Sequence, residues 1–243
     1  MKFLTHPLTE DRAKSILEAL PPSRRNTYIS IAQNHEKSTN TISLLAAYLY
    51  VWNGYIASSV DRTTGEVEVL LRNFIDEKFS AWNNLQAESE SFGWILHPRD
   101  ELYEIVFPKN GKPLVKYADT HSVNGSPTHD DYVAGLPFGS WVHLLPKKHA
   151  KEKNARVILW EQALAPHLNV ADRKAFQDAA MKVKDMRNRA THRRPLIKNL
   201  NELRETHRRC VEIARAINPN IGEWILEEKW IPQALREDPR IER

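Results

Sequence analysis

The sequence predicts an all-α fold. Three observations carry this: apolar residues recur every three to four positions in most long stretches, strand-like alternation is nearly absent, and the 243 residues include only eight glycines. Few glycines beside abundant Leu, Ala, Glu, Lys and Arg favour helices over turn-rich β architecture. The length allows one large domain or two small ones with a sizeable core.

The first helix is expected just after Thr9. Ala13, Ile16, Leu17 and Leu20 form an apolar stripe, Thr9 is a candidate N-cap, Glu10 and Asp11 suit the first turn, and Pro21-Pro22 ends the helix. The polar stretch 24–40 reads as a loop with a helical turn. From Ser43 to Ile56, Leu44, Leu45, Tyr48, Leu49, Trp52, Tyr55 and Ile56 give a central buried helix. Residues 61–65 are expected to break it. A third helix should then run from Glu66 to about Trp82, with Val67, Leu70, Leu71, Phe74, Ile75 and Phe79 on its core face.

Residues 83–128 show no long period and are punctuated by Pro98, Pro108, Gly111, Pro113, Gly125 and Pro127. They read as a long irregular excursion with room for short helices or a hairpin, unusual in a compact domain and often functional. Thr128 should cap a short helix with Asp130 and Asp131, and Lys147–Lys153 reads as a charged linker. Four further helices are expected, at about 155–165, 170–193, 200–217 and 222–235. The expected organisation is therefore one composite domain: N-terminal helices (1–82), the irregular excursion (83–128) and C-terminal helices (129–243). Trp52, Trp141 and Trp160 fall on apolar helix faces and read as core, while Trp82 and Trp94 border the irregular region.

Hydrophobic content of 41% and charged content of 27% are ordinary for a globular protein, and the net charge is only +4. Its distribution is uneven. Between Lys182 and Arg215 there are eleven Lys/Arg against four acids, a surplus of seven, so the remainder is slightly acidic. Such a segment fits a polyanion partner or a solvated face of Arg/Lys–Glu pairs. Cys210 is the only cysteine. It excludes an intrachain disulfide and fits a reducing cytoplasm. Arg208 and Arg209 could lower its pKa, but a lone Cys in a helical pattern usually packs as a small hydrophobe. Met1–Pro7 has no apolar signal-peptide region, and Leu44–Val60 is too short and polar to span a bilayer.

The chemistry concentrates in Arg187-Asn188-Arg189-Ala190-Thr191-His192-Arg193-Arg194-Pro195. Arginine grips phosphate bidentately and is always charged, histidine exchanges a proton near neutral pH, and RNA carries its own nucleophile in the 2′-OH. Cutting RNA with these groups needs neither a metal nor a protein nucleophile. On an ideal helix Asn188 and His192 share a face, whereas Arg187 and His192 diverge by about 140°. Either the helix loosens before Pro195, which disfavours the helical conformation at Arg194, or two copies of the segment meet across a dimer axis. Arg187 and His192 also suit a plain helix end, where cations are favoured by the macrodipole. Arg193 and Arg194 lie off the core stripe. No P-loop, dinucleotide-binding glycine pattern or nucleophile elbow occurs, and His97, His121, His129, His143, His149 and His167 are scattered without metal-ligand spacing. No metal or cofactor is expected.

Arg187-Asn188-Arg189-Ala190-Thr191-His192 resembles the RNxxxH signature of HEPN-domain ribonucleases, and the wider pattern resembles the Abi-like (AbiD/AbiF-type) abortive-infection proteins of bacteria. Leu49-Tyr50-Val51-Trp52-Asn53 resembles that family's LYxWN run. Glu66 to Asn73 resembles its LEVALRN run, and Leu136-Pro137-Phe138-Gly139-Ser140-Trp141 its LxFGFW run, with Ser140 in place of Phe. The order and spacing extend the resemblance over about residues 25 to 239. Arg193-Arg194 stand where the family commonly has a second histidine or Asn/Glu.

The resemblance implies a HEPN-like helical bundle with a long irregular insertion, acting as a dimeric, metal-independent endoribonuclease in phage defence or as a toxin. In that reading Arg187, Asn188 and His192 are catalytic, and Arg189, Arg193 and Arg194 recruit RNA. Arg72 and Asn73, lacking a following histidine, are expected to brace the motif helix, or to hydrogen-bond the motif with Glu68, rather than to catalyse. The implied partners are RNA, a second copy of the chain, and an antitoxin or small regulatory RNA, all in the cytoplasm and away from membrane. Some HEPN proteins bind RNA without cutting it, so the alternative is a non-catalytic RNA-binding scaffold, with an acidic protein partner as a third class.

Overall fold

A computed structural model describes residues 3–36, 38–85, 93–120, 125–169 and 172–241. Every regular element among them is helical. Val170, the expected start of one helix, and His121 lie outside the described residues. None of the described helices is long and apolar enough to cross a membrane.

The chain does not divide near residues 82 and 128. It forms two compact units, each assembled from separated stretches: Met1–Thr63 with Asp185–Arg208 and Glu228–Arg243, and Thr64–Lys184 with Arg209–Glu227. Helical stripes distant in sequence bury one another, so neither end of the chain forms a unit alone.

In the first unit, α1 (Glu10–Glu18) starts as expected, with Thr9 accepting from the Arg12 amide at 3.3 Å. The expected loop after it is instead helix α2 (Pro22–Gln33). Its buried residues are only Tyr28 and Ala32, too sparse to register as a stripe, and Pro22 suits the first helical position. Helix α3 spans Thr39–Leu85 without the expected break, giving residues 39–63 to the first unit and 64–85 to the second. No proline interrupts it, and the buried Thr63 hydroxyl is satisfied inside the helix by donating to the Ser59 carbonyl at 2.8 Å. The core is built from Leu45, Leu49, Trp52 and Ile56 of α3 with Met186, Ala190, Leu196, Ile197 and Leu203 from later in the chain.

The expected helix 222–235 is two helices, α10 (Pro219–Glu228) and α11 (Trp230–Leu235), separated by Lys229 at φ +52°. Helix α11 is tied to α3 by Trp52, whose indole N–H donates to the Ala234 carbonyl at 2.8 Å. Beyond it, Arg240 chelates Asp238 and lies over the Trp52 ring.

In the second unit, α4 (Asp100–Val106) and a 3₁₀ turn (Leu114–Tyr117) lie within the expected irregular excursion. Buried Asn83 anchors its start, donating to the His97 carbonyl and accepting from the Arg99 amide, both at 3.0 Å. Thr128 and Asp131 form a reciprocal cap on α5 (His129–Gly135), and α6 is Phe138–Leu144. Trp82 and Trp94 are core after all. Trp94 packs edge-on against Phe79 and Trp141 while its N–H donates to Asp76 at 2.8 Å, and Trp82 donates to Gln162 at 3.0 Å. Helix α7 (Ala155–Leu159) continues through a π turn and a 3₁₀ turn to His167. Helices α8 (Arg173–Thr191) and α9 (Leu200–Ile217) each contribute to both units. Cys210 is a core residue of the second unit, and burial pushes its thiol pKa far up against the smaller opposing effect of Arg209.

One buried histidine makes stability pH-dependent. His207 of α9 is 7% exposed and its Nδ1 has no hydrogen-bond partner among the described residues. Burial, then the Lys229 ammonium, hold its pKa below the ordinary 6.5. The unfolded chain therefore takes up the proton first. His207's contribution to stability is fully present above pH 6.5 and is lost as the pH falls toward its folded value. Urea unfolding at pH 7.5 and at successively lower pH should show a decline that is reduced in His207→Gln. An identical decline in both proteins would exclude His207 as its source.

Candidate active site at the end of helix α8

The last turn of α8 is regular. The His192 amide donates to the Asn188 carbonyl at 3.1 Å, so the i→i−4 ladder extends through the histidine. The Arg193 amide then donates to Ala190 at 2.8 Å and the Arg194 amide to Arg189 at 2.9 Å, with Arg193 at φ +50°. These paired bonds form a Schellman cap with His192 at the C-cap and arginine at the left-handed position usually held by glycine. A left-handed non-glycine residue costs about 1–2 kcal/mol, and neighbouring groups offset it. Arg193 donates through Nη1 to the Gly54 carbonyl at 2.9 Å, while its own carbonyl accepts from Arg24.

The segment after the cap is held by Asn53, 2% exposed on α3. Its Nδ2 donates to the Arg194 carbonyl at 3.2 Å, and its Oδ1 accepts from the Leu196 amide at 2.6 Å and the Ile197 amide at 3.4 Å. One buried amide thus satisfies three backbone groups flanking Pro195. The signal for Asn53 was an amide inside the apolar stripe 44–56; nothing local pointed to Arg24 or Gly54.

Asn188 and His192 are exposed, sharing a face, and Arg187 is half-buried. The Thr191 hydroxyl lies 3.1 Å from the Arg187 carbonyl and 3.2 Å from Asp61 Oδ1, placing a carboxylate beside this turn that the motif did not foretell. Arg189 pairs with Glu202 at 2.7 Å. Of the three arginines expected to recruit RNA, Arg189 and Arg193 therefore have internal partners, and the Arg194 guanidinium has none among the described residues. Arg193 is off the core stripe as expected, yet it has a structural role.

Elsewhere in the basic segment, Arg208 pairs with Glu205 at 2.7 Å, Arg215 with Glu223 at 2.8 Å and Lys182 with Asp178 at 2.9 Å. The paired-face reading describes these residues; Arg194 and Lys198 keep their charge for solvent or ligand. Glu68, Arg72 and Asn73 belong to the second unit, where Arg72 donates to the Asn73 side chain at 3.4 Å.

Among the described residues no three His, Cys, Asp or Glu side chains gather as a metal ion would require. Comparison of the chain with protein-family models, curated proteins and solved structures finds no match.

Proposed function

We propose that the chain is a metal-independent endoribonuclease of the bacterial abortive-infection or toxin type, with Arg187, Asn188 and His192 as its catalytic residues. The observation that carries this reading is the helix end itself: an exposed imidazole and amide beside an arginine, held in register by a Schellman cap and the Asn53 clamp. His192 takes the 2′-OH proton, and the freed oxygen attacks the adjacent phosphorus. The P–O5′ bond breaks, and the leaving oxygen receives a proton from a histidine acting as general acid. Arg187 stabilises the charge accumulating on the pentacoordinate phosphorus, and Asn188 positions a phosphate oxygen. Arg194 draws in the polyanion. The products are a 2′,3′-cyclic phosphate and a 5′-OH.

The regular ladder through His192 favours a site shared by two copies. Without unwinding, one helix points Arg187 and His192 about 140° apart, so they do not easily grip one phosphate, and two protomers supply the arginine and histidine that meet there. Two histidines then also provide separate base and acid.

Purified protein should cut RNA in EDTA and leave cyclic or 3′-phosphate ends. Mixed dimers test the shared site. Arg187→Ala protomers combined with His192→Ala protomers should regain cleavage, once a tag pull-down has shown subunit exchange. RNA binding without cleavage would make the protein a scaffold, and a fully active monomer would overturn the two-copy site.

A further inference from the structure

The strongest unassigned feature is a cleft of about 610 Å³ in the second unit, lined by Lys148, Lys151, Lys153, Arg173 and Lys174. One carboxylate, Glu152, and one imidazole, His149, share it. The stretch expected to be a charged linker is in fact two successive turns, closed by Ala150 N–H to Lys147 O and Asn154 N–H to Lys151 O, both 2.9 Å. These turns carry three of the lysines, and the first turn of α8 carries Arg173 and Lys174.

Two observations concern the charge gathered in this cleft. First, none of its five cations forms an ion pair among the described residues, whereas Lys182, Arg189, Arg208 and Arg215 all do. Gathering five cations around one carboxylate is unfavourable unless a further anion neutralises the surplus. Second, Arg173 Nη1 is shut off from solvent and has no hydrogen-bond partner among the described residues. A guanidinium with an unmade buried bond is not neutralised by the protein, so its charge adds to that of the lysines beside it. The N-terminus of α8 is not the attraction, because Asp172 already caps it by accepting from the Lys174 amide at 2.8 Å.

We propose that this cleft binds phosphate groups, and more than one at a time. A guanidinium fork amid four ammonium groups suits the charge and tetrahedral oxygens of phosphate better than a single carboxylate. The ligand is either a polynucleotide backbone or a small soluble polyphosphate. The site stands independently of the ribonuclease reading, since it uses none of that site's residues.

The test is calorimetric titration of the full chain with inorganic tripolyphosphate at low salt, beside a short uncleavable 2′-O-methyl oligouridylate. Arg173→Gln and the exposed pair Lys151→Gln/Lys153→Gln should each weaken tripolyphosphate binding about tenfold or more, the effect of losing charge-assisted hydrogen bonds. Lys14→Gln, at an exposed lysine of the first unit that pairs with Glu18, should leave it unchanged. If the lysine pair also flattens the oligonucleotide's salt dependence, the ligand is a nucleic-acid backbone; if oligonucleotide binding is unaffected, it is a small phosphate. The lysines are exposed, so their variant keeps the test valid should Arg173→Gln fail to fold. Tripolyphosphate that binds wild type and the lysine pair equally, or does not bind wild type, overturns the proposal.

Discussion

His192→Ala should lower RNA cleavage by about 10²-fold or more, the range of a lost general acid or base, and Arg187→Ala should lose about as much through charge stabilisation. The position of His192 makes the test clean. Its side chain is exposed and has no partner among the described residues, so its removal leaves the core and the cap hydrogen bonds in place. Melting temperature should change little while turnover collapses. A plain helix-end cation predicts the reverse: a small stability loss from the macrodipole and unchanged cleavage. Arg187→Lys separates charge from geometry. If Arg187 grips a phosphate bidentately, lysine restores only part of the rate. Full activity in His192→Ala would end the catalytic assignment.

Asn53→Ala should destabilise the first unit by about 3 kcal/mol or more, because buried polar groups left unpaired cost about 1–3 kcal/mol each. The substitution removes the acceptor for the Leu196 and Ile197 amides and the donor to the Arg194 carbonyl. Leu196 and Ile197 are themselves 1% and 2% exposed, so solvent cannot readily replace the lost partner. Asn53→Leu, closer in volume, should be nearly as damaging, which distinguishes lost hydrogen bonds from a cavity. Urea unfolding measures both variants. A loss below about 0.5 kcal/mol, the scale of an ordinary surface change, would show that the clamp does not hold this turn.

Helices whose signals are local were readable. Thr9 with Pro21-Pro22 bounds α1, Thr128 with Asp131 starts α5, and α9 spans Leu200–Ile217 as expected. Helix α2 escaped because two buried side chains do not make a visible period. The break expected at residues 61–65 rested on Asp, Thr and Gly propensities worth at most about 1 kcal/mol each. Burial of Val60, Thr63, Thr64 and Val67 outweighs them. Lys229 shows the opposite error: no glycine marks its left-handed turn, yet it separates α10 from α11.

The helical class, the placement of Arg187, Asn188 and His192 along one helix and its C-cap, and the angular relations that follow from helical geometry are legible in the chain alone. Pro195 also required a stop nearby. How that stop is made depends on groups far away in the chain. Helix α8 keeps its ladder through His192 and turns at Arg193 because Gly54, Arg24 and Asn53 meet the polar groups of residues 193–197. Those partners lie about 140 to 170 positions away. Local propensities differ by tenths of a kcal/mol to about 1, whereas a buried backbone group without a partner costs about 1–3. The distant contacts therefore set the end of the helix, and with it the direction in which His192 faces.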